Sequence, residues 1–468
     1  MIKQQSYEES RLSLQCALDA GRTAAHRNRL GQFATPTLLA RQMLTLAKRL
    51  LPKKGNVRFL DPAFGTGAFY SAFLEVFPPQ RIAEAAGFEV DPYYGNPARS
   101  LWKETSLKLH LTDFTRAASP HHENQKFNLI ICNPPYVRHH HIPAPDKTRL
   151  RCLAKQACHH AIGGLAGLYC HFICLSHAWM ADNALAGWLV PAEFMDVNYG
   201  KPIRDYLLKE VTLLRVHKFD TTDVQFNDAL VSSAVVWFRK SKPDADHAFR
   251  FTIGGSLAHP TQSRSIRCAA LYSENKWTRF LLSGPRANTR RSVLGDFFSI
   301  KRGVATGDNK FFVMTREQIE SHRLSLDYFQ AILPSPRKLK ENEIFADGKG
   351  WPSIEPQLFL LDCSLPENEI RSRYPELWDY LSVAAKRLSV RYLCNHRSPW
   401  YAQEKRPSSP FLCTYMGRKN NGRPSPFRFI LNHSQATATN VYLLLYPKPG
   451  LASILLKRPE LKRVIWDA

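Results

Sequence analysis

A chain of 468 residues with 44% apolar and 22% charged positions exceeds one ordinary core, so two globular domains are expected and a disordered polymer is excluded. Lys and Arg number 64 against 40 Asp and Glu, a formal charge of +24 that argues for a polyanionic partner, and no apolar run approaches the ~18 residues that span a bilayer. With no signal-peptide core after Met1-Ile2-Lys3-Gln4-Gln5 and 10 cysteines free of any CxxC pair, a soluble, cytoplasmic protein without membrane contact is expected.

In chain order, the first half alternates short apolar strands with helical patterns. Residues 37–51 read as a helix, 57–60 as a strand and 67–77 as a helix. Strands follow at 86–90, 108–111 and 127–132. Residues 165–181 then read as an apolar helix, 185–190 as a strand, 200–209 as a helix, and 213–218 and 230–239 as strands. Such alternation predicts an α/β fold, a mostly parallel sheet with helices on both faces, in which ligands bind beyond the carboxyl ends of the strands. After Lys240 the texture changes. The polar, turn-rich segment 241–246 precedes a region rich in Pro, Gly, Ser and Arg, with short strands expected at 310–314 and 358–362. The expected division is therefore a first domain over 1–245 and an α+β second domain over 246–468. Residues 1–250 carry 31 basic and 22 acidic groups and residues 251–468 carry 33 and 18, which places the positive excess mainly in the second half.

Phe59-Leu60-Asp61-Pro62-Ala63-Phe64-Gly65-Thr66-Gly67-Ala68-Phe69 reads as a strand end, a tight turn and a helix start. Gly65 and Gly67 allow backbone to approach a ligand closely, although the same pair also serves an ordinary strand-to-helix turn. The next strand ends at Phe88-Glu89-Val90-Asp91, which puts the Glu89 carboxylate where it could bind two ribose hydroxyls. The third ends at Thr112-Asp113-Phe114, where Asp113 could accept from an adenine amino group and Phe114 could pack on the ring. The fourth runs into Asn133-Pro134-Pro135-Tyr136. The Asn side-chain oxygen and the Pro134 carbonyl can both accept from one exocyclic –NH2, two fixed proline φ angles hold the backbone, and Tyr136 offers a flat face to a base. Four successive strand ends with matched chemistry point to methylation of the amine of a flipped nucleobase.

With these motifs in place, the chain resembles the Taq-type adenine-N6 DNA methyltransferases of restriction–modification systems, the gamma arrangement in which donor motifs precede the catalytic tetrapeptide and target recognition comes last. The likeness covers most of the chain and is strongest over 30–240. It implies a Rossmann-like class I methyltransferase sheet in a catalytic domain, followed by a basic α+β target-recognition domain. It also implies S-adenosylmethionine as methyl donor and no metal. Gly31-Gln32-Phe33-Ala34-Thr35-Pro36 matches the segment that closes over the methionine end of the donor, which brings Thr35 and Pro36 into the cofactor site. Asp61, Pro62, Gly65 and Gly67 match the donor loop. Glu89 matches the ribose carboxylate, and Asp113 with Phe114 the adenine contact. Leu168-Tyr169-Cys170-His171-Phe172 matches a helical stretch whose Phe172 walls the donor adenine. Asn133, Pro134, Pro135 and Tyr136 take the catalytic place. Phe226, in the segment 226–233, joins Tyr136 in stacking on the target base. The resemblance further implies double-stranded DNA as substrate, a cognate restriction endonuclease as partner, and a monomer or weak dimer. Arg138, and in the second domain Lys301, Arg302 and Lys310 of a Gly-rich turn, are the expected DNA contacts.

Two histidine-rich stretches invite a metal reading, and neither is expected to hold one. Adjacent side chains at His139, His140 and His141 point in different directions, and the Cys/His spacings over 152–177 match no common zinc pattern. Four rivals bear on function. Release-factor glutamine methyltransferases carry the same tetrapeptide but are shorter and lack a basic second domain, while an RNA adenine would suit the charge as well as DNA. Pro243-Asp244 with Glu274-Asn275-Lys276 superficially spells a nuclease metal site across too long a gap. A catalytically silent DNA-binding module conflicts with intact donor and acceptor motifs.

Overall fold

The computed structural model describes residues 2–220, 232–278, 292–416 and 427–468, with backbone alone for 2–6. The chain divides into two compact units, Met1–Ala287 and Asn288–Ala468. The strands of the first unit are β1 (Val57–Asp61), β2 (Ile82–Phe88), β3 (Leu107–His110), β4 (Phe127–Cys132), β5 (Met180–Pro191), β6 (Thr212–Lys218), β7 (Ser233–Arg239), β8 (Ala248–Gly255) and β9 (Pro260–Arg267). They form one nine-stranded sheet in the order β3-β2-β1-β4-β5-β7-β6-β8-β9. The run from β3 to β5 is parallel, and β7 runs antiparallel between β5 and β6.

Strand β4 shows why the sheet lies between two helical layers. Its side chains alternate in direction, so Ile130 and Cys132 enter one buried cluster while Leu129 and Ile131 enter another. The first cluster packs under α6 (Ala144–Cys158), α7 (Leu168–Ser176) and α8 (Lys201–Lys209). The second packs under α3 (Thr37–Leu50), α4 (Ala68–Val76) and α5 (Pro92–Leu101). Two helices precede these, α1 (Ile2–Ala20) and α2 (Ala24–Leu30). Helix α1 is fastened by an arginine that is only 1% exposed: Arg11 pairs with Glu8 at 2.6 Å and donates to Thr37 Oγ1 at 3.1 Å and Thr66 Oγ1 at 3.3 Å. The Tyr7 ring stacks on Trp102 at 5.4 Å, and Thr66 Oγ1 donates to Gln15 Oε1 at 2.6 Å.

Three expectations need correction. The apolar helix read over 165–181 is the shorter α7, because Met180 already pairs with Phe127 and begins β5. The polar segment 241–246 is a turn within the sheet rather than a linker. Past it, β8 pairs in parallel with β6 and antiparallel with β9, so the compact units divide at 287/288 and not at 245/246. The strand read over 310–314 begins as a helical turn, Asn309–Phe312, whose N-terminus is capped by the Asp308 side chain; a strand starts only at Val313.

The second unit contains β10 (Phe298–Arg302), β11 (Val313–Thr315), β12 (Phe329–Leu333), β13 (Glu343–Ile344), β14 (Leu358–Leu361), β15 (Phe411–Thr414), β16 (Phe429–Asn432), β17 (Thr437–Ala438) and β18 (Tyr442–Pro447). These make a five-stranded sheet, β10-β18-β15-β16-β13, and a four-stranded sheet, β11-β14-β12-β17. A buried cluster joins strands of both sheets to the helix Pro375–Leu388. No helix among the described residues is long and apolar enough to cross a membrane.

Candidate active site

The carboxyl ends of β1, β2, β3 and β4 open onto a cavity of about 660 Å³, a volume usual for a small-molecule site. The turn after β1 forms its floor. Gly65 has φ +58°, and a Cβ built there meets nothing within 4 Å, so the backbone itself faces the open space. Gly67 serves packing instead: a Cβ there would fall 2.7 Å from both Phe64 and the Trp102 ring nitrogen.

Glu89 is held rigidly at the end of β2. Its two carboxylate oxygens accept the backbone N–H groups of Gly65 and Asp91, each at 2.8 Å. Burial raises its pKa against those two donors, and each oxygen keeps a lone pair for a ligand hydroxyl. The neighbouring Asp91 is clamped by Arg22 and by the Gln32 side-chain amide, whose Nε2 donates to it at 2.8 Å. Burial alone would raise the Asp91 pKa, and the hydrogen bonds from Arg22 and Gln32 bring it below the ordinary carboxylate value. Arg22 also lies 4.1 Å from the centre of the Tyr93 ring.

The far wall is aromatic. Phe114 packs 5.4 Å from both Phe88 and Phe172, giving an apolar slot beside Asp113. Asp113 accepts from the Thr115 N–H at 2.8 Å and lies 3.5 Å from Arg116. Arg149, on α6, donates to the Thr115 carbonyl at 2.6 Å and to Asp146 at 3.2 Å, fastening the helix over this wall.

Asn133 and Pro135 line the same cavity, at the end of β4. The Asn133 side-chain amide donates through Nδ2 to the Phe33 carbonyl at 2.9 Å and to Thr35 Oγ1 at 3.1 Å. Its Oδ1 is buried and has no hydrogen-bond partner among the described residues. A buried acceptor left open in this way costs about 1–3 kcal/mol unless a donor arrives. Tyr136 is only 9% exposed; its ring packs against Phe33 at 5.5 Å and its hydroxyl donates to the Leu189 carbonyl at 3.2 Å. Burial pushes its phenol pKa up.

The remaining expected site residues are distributed as follows. Pro62, Gly65, Glu89, Asp113, Phe114 and Phe172 line the cavity. Asp61 stands behind its wall, 1% exposed, accepting from the Ala63 N–H at 3.1 Å; burial, reinforced by Glu89, pushes its pKa up to about 8. Thr35 is buried against Asn133, and Pro36 precedes α3, accepting the Ala40 N–H at 3.0 Å. Pro134 is buried, and Arg138 is exposed just beyond the tetrapeptide. Phe226 lies outside the described residues. Among the described residues no group of three or more His, Cys, Asp or Glu could hold a metal ion. Cavity residues that the sequence reading missed come from α1, the turn that follows it and α6, notably Gln15, Asp19, Arg22, Asp146 and Arg149. The only advance signals were Thr23, an N-cap residue for α2, and Gly31, which ends that helix at φ +66°.

Residues 1–225 match the Eco57I restriction-modification methylase family, and residues 274–456 match the C-terminal domain family of Type II methyltransferase M.Eco57I. Together the two matches span most of the chain. Over most of its length this chain is therefore similar to the Eco57I-type restriction-modification methyltransferases. This methyltransferase is 24% identical over 452 residues to Type II methyltransferase M.AccI of Acinetobacter calcoaceticus, covering 92% of this chain and 78% of the relative. It is 26% identical over 436 residues to Type II methyltransferase M.XamI of Xanthomonas campestris pv. amaranthicola, covering 91% and 78%. Among solved structures, the Type IIL restriction-modification enzyme MmeI in complex with DNA aligns at TM-score 0.59 and 15% identity, over 94% of this chain and 66% of that one. The DrdV–DNA complex aligns at TM-score 0.57 and 14% identity, over 94% and 52%. The fold is that of class I S-adenosylmethionine-dependent methyltransferases.

In this methyltransferase, Lys301 and Arg302 lie at the exposed end of β10, an edge strand of the second unit. Arg302 donates to the Asn440 carbonyl at 2.8 Å and sits 4.3 Å from the centre of the Tyr415 ring, and Lys310 is exposed in the turn capped by Asp308. Three further arginines stiffen the loop between them. Arg387 and Arg391 pair with Asp308 at 3.1 and 2.9 Å, and Arg397 donates to the Thr306 carbonyl at 3.0 Å.

One prediction arises from the contact that joins the Gly31–Pro36 segment to the tetrapeptide. Tyr136 N–H donates to the Gly31 carbonyl at 3.1 Å, and a Cβ on Gly31 would fall 2.3 Å from Tyr136 N. Gly31→Ala must therefore push two backbones apart as well as bear the left-handed penalty of ~1–2 kcal/mol. We expect a loss of roughly 2 kcal/mol or more, read as a lower midpoint in thermal unfolding. An unchanged midpoint would show that the contact is not as tight as described.

Proposed function

We propose that this methyltransferase transfers a methyl group from S-adenosylmethionine to N6 of an adenine flipped out of double-stranded DNA, in the gamma arrangement of the Taq-type enzymes. Acting as a modification enzyme, it would protect a recognition site from a cognate restriction endonuclease. The observation that carries this reading is the open, buried Oδ1 of Asn133 on the wall of the cavity that Gly65 and Glu89 also line.

The residues present fit the donor. Glu89 is placed to accept from ribose hydroxyls, the Phe88–Phe114–Phe172 slot suits an adenine ring beside Asp113, and Gly65 leaves room for close approach. When bound, S-adenosylmethionine supplies an electrophilic methyl group on a sulfonium. Adenine N6 is a poor nucleophile because its lone pair is delocalised into the ring. Asn133 Oδ1 and the Pro134 carbonyl, both acceptors, would take the two N6 hydrogens, localise the lone pair and hold it in line for displacement. No described residue donates a hydrogen bond to the Pro134 carbonyl. We assign no general base, because the product ammonium is acidic enough to lose its proton to water. Flipping the base costs about a few kcal/mol. Stacking against Phe226 and the small open part of Tyr136 would return ~1–3 kcal/mol.

The basic second unit is proposed to recognise the target, with Lys301, Arg302 and Lys310 on phosphates and Arg138 beside the flipped base. Support comes from the net charge of +24 and from the DNA complexes among the structural neighbours. The test is direct. Incubating the protein with methyl-labelled S-adenosylmethionine and either duplex DNA or RNA, then digesting to nucleosides, should give N6-methyladenine from DNA alone. Label recovered in cytosine, in RNA or in protein would overturn the assignment.

A further inference from the structure

A side-chain amide can present either its oxygen or its nitrogen to a ligand, and a half-turn about one bond exchanges them. The surroundings of Asn133 decide between the two. The Phe33 carbonyl can only accept, so it must face Nδ2, as it does at 2.9 Å; Thr35 Oγ1 takes the second hydrogen at 3.1 Å. In the reversed amide, oxygen would oppose oxygen at Phe33. Both anchors belong to the Gly31–Pro36 segment, which is some 100 residues away in sequence and is not part of the tetrapeptide. The same segment walls the donor cavity through Gly31, Gln32, Phe33 and Ala34, and is tied to the tetrapeptide by the Gly31–Tyr136 backbone bond.

We propose that Thr35 is a positioning residue: with the Phe33 carbonyl, its hydroxyl fixes the Asn133 amide so that Oδ1, and not Nδ2, meets the substrate amine. The inference rests on the adenine-N6 reading above. It gives Thr35 a role toward the acceptor base, where the resemblance gave it one toward the donor. The Phe33 carbonyl is backbone and survives any substitution, so the side chain open to test is Thr35.

Thr35→Val keeps the shape and removes the acceptor; Thr35→Ser keeps the hydroxyl and loses a methyl group. With plasmid DNA and labelled S-adenosylmethionine, Thr35→Val should lower kcat about tenfold, the loss expected for one hydrogen bond, while Thr35→Ser stays near wild type. The KM for S-adenosylmethionine and the calorimetric affinity for S-adenosylhomocysteine should stay within about twofold of wild type in both. Wild-type kcat in Thr35→Val would overturn the proposal. So would a matching loss of donor affinity, or a Thr35→Ser enzyme as slow as Thr35→Val. If Asn133→Ala proved active, the adenine-N6 reading itself would fail, and the two failures are therefore distinguishable.

Discussion

Asn133→Ala is expected to reduce turnover by about 10²–10³ while leaving the affinity for S-adenosylmethionine within about twofold of wild type. The magnitude follows from what the side chain does in this site. Its Oδ1 is a preorganised acceptor already stripped of other partners, so an incoming N6–H meets it without first displacing a protein group. Removing it takes away a dipole aimed where positive charge develops on nitrogen, which slows the chemical step and spares donor binding. Asn133→Asp sharpens the test. The carboxylate still offers oxygens and the Thr35 hydroxyl can donate to one of them, but it has no hydrogen for the Phe33 carbonyl, which repels it from the position the amide holds. Its turnover should fall between wild type and Asn133→Ala. Single-turnover methyl transfer and calorimetry separate the two effects, and an alanine variant as fast as wild type would remove Asn133 from the mechanism.

Glu89→Ala should act on the other side of the reaction and weaken donor binding by about a hundredfold or more. Two contributions add here. The ribose hydroxyls lose a charged acceptor, at roughly 1.5–3 kcal/mol for such hydrogen bonds. The Gly65 and Asp91 N–H groups, now held at 2.8 Å from the carboxylate, also lose their partner, which loosens the floor of the cavity. Because this second effect reaches the fold, the variant's thermal midpoint should be measured beside its affinity. A folded Glu89→Ala protein that binds S-adenosylmethionine as tightly as wild type would refute the ribose assignment.

The legibility of the chain differed from place to place for physical reasons. Residues 127–132 were read as a strand and form β4 with those same bounds, because an apolar run stops abruptly at a residue followed by two prolines. The strand ends carrying Glu89 and Asp113 were legible because an acidic residue follows each short strand, and the structure brings both to one cavity with Asn133. Helix α6 was not legible. The helix opens Ala-Pro-Asp-Lys-Thr-Arg-Leu-Arg and buries only Leu150, Ala154 and Cys158 over its 15 residues, too sparse a stripe to announce it. Helix α1 hides its docking in the opposite way. Arg11 is buried there, so the residue that most defines the inward face carries a charge, and a hydrophobicity pattern reads it as outward. The turn at 241–246 misled because polarity marks a bend between strands as readily as a boundary between domains.

Strand β9 ends the nine-stranded sheet, and its outer rim has no neighbouring strand among the described residues. A bare strand edge is a template on which a second copy could stack, and such stacking is how many soluble proteins begin to precipitate. Here five consecutive residues of that edge, Thr261-Gln262-Ser263-Arg264-Ser265, are exposed and polar, with Pro260 before them and Arg267 just after. A like edge brought alongside would set arginine against arginine. The fold thus carries its own safeguard against self-association at the place where its hydrogen-bond ladder runs out.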